Sequence, residues 1–164
     1  MEDWKLYIVN LTLFLDDIDT GEWFTVPVNM DEVREKIHLK DDEECVIFDY
    51  ELPFAIDRDV SIEKINYLYR QLEDADESVL SDLKELISAI GSVEELVDNL
   101  EDLIFYPGVS SVEELAGMMV EKGLLGEVSG MLQSCIDYEK LVRILNTEYV
   151  YVETKNGVWD VTLK

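Results

Sequence analysis

Residues 45–54 read Cys45-Val46-Ile47-Phe48-Asp49-Tyr50-Glu51-Leu52-Pro53-Phe54, and residues 61–72 read Ser61-Ile62-Glu63-Lys64-Ile65-Asn66-Tyr67-Leu68-Tyr69-Arg70-Gln71-Leu72. The first stretch holds a continuous apolar run, Cys45 to Phe48, which reads as a central strand and is followed by a proline that closes the unit. The second sets Ile62, Ile65, Leu68 and Leu72 three or four positions apart, the spacing of one helix face. A change from strand-like to helical period within one short region places the chain in the α+β class.

Working towards the N-terminus, Lys5 to Asn10 reads as a strand, and a turn around Asp17, Asp19 and Gly21 leads into Glu22-Trp23-Phe24-Thr25-Val26, whose aromatic and β-branched residues suit a second strand ended by Pro27. A short helix from Asp31 to Ile37 puts Val33 and Ile37 on one face. Towards the C-terminus, Val79, Leu83, Leu86 and Ile90 predict a second long helix, and Val93, Leu96, Val97, Leu100 and Ile104 a third, with Gly91 between them. Ser92 with Glu95, and Ser111 with Glu114, have capping-box spacing. Helices are expected from Ser111 to Glu121 and from Tyr138 to Leu145. A hairpin then runs from Tyr149 to Thr154, turns at Asn156-Gly157, and returns from Val158 to Leu163 with Trp159, Val161 and Leu163 on alternate positions. The pattern divides into three units: an N-terminal antiparallel sheet with a short helix over 1–60, a helical bundle over 61–106, and C-terminal helices with a β-hairpin over 107–164.

Apolar residues make up 48% of the chain, enough for a packed core, yet 38 acids stand against 13 bases for a formal charge of −25. Such a surface repels nucleic acid and anionic membranes, attracts basic proteins, and strains its own fold by self-repulsion at low salt. Cys45 and Cys135 lie far apart in a chain without a secretory signal or an apolar run long enough to span a membrane. Reduced thiols and a cytoplasmic location are expected.

No catalytic motif is complete. His38 is the only histidine, which rules out a multi-histidine metal site, and it falls at the end of an expected helix where an imidazole is structurally favourable. The two cysteines lack the paired spacing of a zinc or thioredoxin-like site. Asp17, Asp19 and Gly21 resemble the start of a calcium loop, but the glycine comes one position early and Val28 stands where the closing glutamate belongs. Glu153-Thr154-Lys155 resembles the end of a nuclease carboxylate-lysine motif, though hairpin-turn polarity accounts for it, and so acidic a chain is a poor host for a polyanionic substrate. No cofactor and no enzymatic activity are expected.

Acidic segments recur along the whole chain: Asp41, Asp42, Glu43 and Glu44; Asp57 and Asp59; Glu73, Asp74, Asp76 and Glu77; and Glu94, Glu95, Asp98, Glu101 and Asp102. On a continuous helix Glu94, Asp98 and Asp102 would form a row with carboxylates about 6 Å apart, at roughly 1.5 Å of rise per residue. Each strand of duplex DNA carries one charge per about 3.4 Å, so imitating it takes acids from several elements. Cluster by cluster, a solvated face opposite a buried one explains the charge equally well.

Several segments together resemble the ArdA antirestriction family. They are Tyr7-Ile8-Val9-Asn10-Leu11, Gly21-Glu22-Trp23-Phe24-Thr25-Val26-Pro27-Val28, Asp31-Glu32-Val33-Arg34-Glu35-Lys36-Ile37 and Asp49-Tyr50-Glu51-Leu52-Pro53-Phe54. Further on, Leu125-Gly126-Glu127-Val128, Leu132-Gln133 and Ile136-Asp137-Tyr138 are similar to the segment called the antirestriction motif in that family. The resemblance implies an elongated three-part α+β protein, commonly a homodimer, that mimics bent B-form DNA. Its implied partner is the methyltransferase core of a Type I restriction-modification enzyme, formed by specificity and modification subunits, whose DNA-binding groove it would occupy. Leu125, Val128, Leu132 and Ile136 would then pack in the dimer contact, while Glu127, Asp137 and Glu139 touch the enzyme. The alternatives are an acidic adaptor or inhibitor of another basic DNA-binding protein and, more remotely, a carboxylate-dependent metal hydrolase.

Overall fold

In the computed structural model residues 3–16, 18 and 20–163 are described. The chain divides into two compact units, Met1–Ala75 and Asp76–Lys164, and the α+β class is observed in both.

The first unit runs β1 (Lys5–Asn10), α1 (Leu11–Leu15), β2 (Glu22–Thr25), α2 (Met30–Lys36), β3 (Cys45–Glu51) and α3 (Ile62–Glu73). Its three antiparallel strands lie in the order β2-β1-β3. The apolar run Cys45 to Phe48 is therefore an edge strand, and the central position belongs to β1, whose Leu6, Ile8 and Val9 are buried. The correction has a local cause. Asp49 pairs with Tyr7 and Ile47 with Ile8, so Phe48 is the extra residue of a β-bulge and its ring is turned out to solvent. An apolar run by itself does not distinguish a covered strand from one whose aromatic residues face outward.

The helices follow their sequence pattern closely. Val33 and Ile37 are buried, and Ile62, Ile65, Leu68 and Leu72 of α3 are all buried. Trp4 is buried too, edge-on to Phe54 at 5.1 Å and to Tyr69 at 5.2 Å. The Asn66 side chain accepts from the Val28 amide (2.7 Å) and donates to the Val28 carbonyl (2.8 Å), fastening α3 to the segment after β2. Buried Asn10 caps α1 by accepting from the amides of Thr12 and Leu13.

The second unit runs α4 (Glu77–Ser81), α5 (Leu83–Ile90), α6 (Val93–Asp98), a 3₁₀ turn (Leu100–Asp102), β4 (Ile104–Pro107), α7 (Val112–Glu121), α8 (Gly130–Gln133), α9 (Tyr138–Glu148), β5 (Tyr151–Glu153) and β6 (Gly157–Asp160). Its strands are antiparallel in the order β4-β6-β5. Val109, Val112, Leu115, Ala116, Met119, Leu145 and Val158 form one core cluster.

Three expectations are corrected in this unit. The helix drawn through Val79 and Ile90 is broken at Asp82, which is fully buried and accepts from Thr154 Oγ1 (2.7 Å), Asn156 Nδ2 (2.6 Å) and Trp159 Nε1 (2.8 Å). The third helix stops at Asp98, and Ile104 to Pro107 is a strand paired with β6. Stacking of Phe105 on Trp159, with ring centroids 4.4 Å apart, overrides the local helical spacing there. The hairpin turns at Lys155-Asn156 instead of one residue later, with the Thr154 amide donating to the Gly157 carbonyl at 2.8 Å. Gly157 is already in the strand, where a Cβ would collide with the Tyr106 carbonyl and the Phe105 ring. Because β6 is central, Val158 and Asp160 are buried along with Trp159, and simple alternation does not hold.

The serine halves of both capping boxes are present: Ser92 Oγ accepts from the Glu95 amide (3.1 Å) and Ser111 Oγ from the Glu114 amide (3.2 Å). The Glu114 carboxylate turns instead to the amide (2.8 Å) and hydroxyl (2.6 Å) of Ser110. Among the described residues no helix is long and apolar enough to cross a membrane.

Candidate functional site

Charge is shared almost evenly between the units, with 20 acids and 7 bases in Met1–Ala75 and 18 acids and 6 bases in Asp76–Lys164, formal charges of −13 and −12. No single patch therefore carries the excess. Ion pairs join Lys5 to Glu51, Arg34 to Asp31, Lys36 to Glu32, Lys40 to Glu43 and Arg143 to Glu139. With 38 acids and 13 bases, one-to-one pairing of every base would still leave 25 carboxylates without a cation.

The four acidic segments fall at different kinds of position. Asp41, Asp42 and Glu44 are exposed in the turn before β3. Glu43 differs, with its side chain only 10% exposed. The Lys40 amide (3.0 Å) and Asn10 Nδ2 (2.9 Å) donate to its carboxylate and hold it below the usual carboxylate range. It therefore closes a turn of the fold, in addition to carrying charge. Asp57 and Asp59 are exposed in the loop before α3. Glu73 and Asp74 close α3 in the first unit, while Asp76 and Glu77 open α4 in the second. Asp76 accepts from the hydroxyl and amide of Ser78, which lower its pKa.

In the last segment Glu95, Asp98 and Glu101 are exposed and Glu94 and Asp102 half-buried. The expected straight row is not formed, because α6 ends at Asp98 and Asp102 belongs to the 3₁₀ turn. Helical spacing relates Glu94 to Asp98 alone.

Other acids serve the fold directly, a division invisible in a sequence where every acid looks alike. Asp82 is the buried example, and Asp160, 8% exposed, accepts from the Thr162 amide and hydroxyl. Glu153 accepts from the Val112 amide (2.8 Å) at the start of α7, and Thr154 bonds Asp82, so two of the three residues resembling a nuclease motif have structural partners.

The segment resembling the antirestriction motif lies between α7 and α9. Gly126 takes a positive φ of 103° in the loop. Leu125 and Leu132 are exposed, together with Leu124 and Met131, the last at 82%. Glu127 is exposed, and Val128 and Ile136 are half-buried. Asp137 caps α9 by accepting from the Lys140 amide (3.0 Å), and Tyr138 packs against the core cluster. Leu124 and Met131 were not singled out in the sequence, and only the structure adds them to the exposed apolar residues of this loop.

His38 is exposed at a positive φ of 54° just beyond α2. Cys45 is half-buried, which raises its thiol pKa and keeps it in the less nucleophilic form, whereas Cys135 is exposed. The segment resembling a calcium loop falls on Asp17 and Asp19, which lie outside the described residues. Among the described residues no group of three or more His, Cys, Asp or Glu side chains is placed to hold a metal ion.

Comparison with individually curated proteins gave no match. A family model described as antirestriction protein (ArdA) matches residues 6–160, spanning both sheets, the acidic segments and the loop between α7 and α9. The chain therefore belongs to the ArdA family of antirestriction proteins.

Proposed function

We propose that the protein acts as a mimic of B-form DNA and inhibits Type I restriction-modification enzymes by occupying the DNA-binding groove of their methyltransferase core. The observation that carries this reading is the surplus of at least 25 carboxylates over available cations, divided almost equally between the two units. Groove arginines and lysines arranged for phosphates would meet carboxylates, and counterions would leave both surfaces on association. Opposite charge speeds the encounter, while shape must select this groove among other basic proteins. Inhibition on this reading is by occupancy, and no bond is made or broken. The test is competition: the protein should displace duplex DNA from a purified Type I methyltransferase core, with the concentration needed rising as salt rises. Failure to displace DNA even at low salt would overturn the reading.

The loop between α7 and α9 is proposed as the contact between two copies of the chain, with Leu125, Val128, Leu132 and Ile136 as its apolar part. Support comes from the exposure of Leu124, Leu125, Met131 and Leu132 along one short stretch. The wild-type protein should be dimeric at about 10 µM by light scattering. Leu132→Asp, which would set two like charges in the contact, should make it monomeric with its circular dichroism unchanged. A wild-type monomer at that concentration would refute the assignment.

A further inference from the structure

One surface of the first unit does not fit a purely anionic protein. On the outer face of its sheet Tyr7 is flanked across β1 by Trp23 of β2 and Asp49 of β3. The Tyr7 ring lies 5.3 Å from Trp23 and 6.4 Å from Phe48, and Phe48 lies 5.4 Å from Phe14 of α1. Four rings thus run in a row, with Phe48 brought into it by the β-bulge. Phe48 is 61% and Trp23 43% exposed. Beside Trp23 a shallow depression of about 290 Å³ is lined by Lys5, Trp23, Phe24, Thr25 and Glu51.

Charge selects the occupant. The contact between copies is already assigned to the loop between α7 and α9, and nucleic-acid bases would arrive with their phosphates, which this unit of formal charge −13 repels. A cation attached to a flat or apolar group is favoured twice, by the ring faces and by the Asp49 carboxylate at their edge, whereas Glu51 already pairs with Lys5 at 3.7 Å. The molecule already contains this arrangement in miniature: Lys36 Nζ pairs with Glu32 at 2.7 Å while lying 5.5 Å from the centroid of the Phe24 ring. Arginine suits the larger row better than lysine, since its guanidinium stacks flat on a ring and still donates sideways to a carboxylate.

We propose that the row Trp23, Tyr7, Phe48 and Phe14, edged by Asp49, docks an arginine-bearing segment of a basic protein partner. The proposal rests on the reading that the partner is a basic protein, and adds a place where its arginines are held by stacking as well as by charge.

Trp23 reports on its own occupancy, because Trp4 and Trp159 are each only 2% exposed. The probe is a short peptide of alternating arginine and glycine, compared with its lysine counterpart, and the readout is protection of tryptophan emission from acrylamide. The arginine peptide should protect Trp23 and bind about two- to fivefold more tightly than the lysine peptide, and Phe48→Ala or Phe14→Ala should remove most of that difference. Equal affinity for the two peptides, with neither substitution having an effect, would overturn the proposal, as would dissociation of a dimer by Phe48→Ala, which would make the face a self-contact. The peptide measurement decides the surface without the restriction enzyme. In the competition assay, undiminished displacement of DNA by Phe48→Ala would overturn the docking surface while leaving the mimicry reading standing.

Discussion

Asp82→Ala is expected to lower the melting temperature by more than any other single change to an acid in this chain. The carboxylate is fully buried where α4 meets α5 and receives donors from Thr154, Asn156 and Trp159, all on the C-terminal hairpin. Truncation leaves Trp159 Nε1 buried without its acceptor, whereas Asn156 is exposed and turns to water, and Thr154 keeps contact with the Gly157 carbonyl at 3.1 Å. One orphaned buried donor and two weakened bonds amount to about 3 kcal/mol. For a unit of this size that corresponds to a fall of roughly 12–24 °C. Asp82→Asn keeps the shape and one acceptor oxygen, and should lose about half as much. Thermal unfolding followed by circular dichroism measures both. A change below about 0.5 kcal/mol in Asp82→Ala would mean that the hairpin holds its place without this carboxylate.

Asp82 also shows where sequence reading stops. Among 38 acids nothing marks it, and the apolar spacing of Val79, Leu83, Leu86 and Ile90 runs through it without interruption. What was legible had a strong local period: β1, α3, α7 and α9 were all expected close to their observed places, because the apolar face of each is written in its own residues. What was not legible depends on residues far away. Ile104 to Pro107 keeps helical spacing with Leu100 yet becomes a strand, because β6 offers it a ladder and Trp159 a stacking partner. Phe48 reads as core and is turned outward by a bulge opposite Tyr7. The candidate site was legible as total charge and as a family pattern. Its division into acids that build the fold, such as Glu43 and Glu153, and acids facing solvent, such as Asp98 and Glu101, required coordinates.

The largest effect on binding is expected from neutralising Glu94, Glu95, Asp98, Glu101 and Asp102 together, as Gln and Asn. If carboxylates substitute for phosphates, each of these exposed or half-buried charges contributes about 0.5 kcal/mol, so five contribute about 2.5 kcal/mol, on the order of a hundredfold in affinity for the methyltransferase core. The salt dependence of binding should flatten in the same variant, since fewer counterions are released. Asp98→Asn alone should cost at most about threefold. Glu94 and Glu95 sit in the first turn of α6, where negative charge is favourable to the helix, so circular dichroism must confirm that the multiple variant is folded. Complete loss of binding from Asp98→Asn would point to one dominant contact instead of a distributed surface. Unchanged affinity and salt slope in the five-residue variant would turn this segment away from the enzyme and leave the other acidic segments as the contact.

The arithmetic of 38 acids and 13 bases reaches beyond recognition. A folded chain that holds at least 25 uncompensated carboxylates on two compact units is at higher free energy than the same fold with a neutral surface. On the proposed reading, a basic groove that closes over those carboxylates would remove the repulsion along with the counterions. Part of the affinity would then be present in the free chain before association, as electrostatic tension that association releases. By thermodynamic linkage the same contact would make the chain harder to unfold. On the proposed reading, the bound chain would be held folded by the enzyme it blocks.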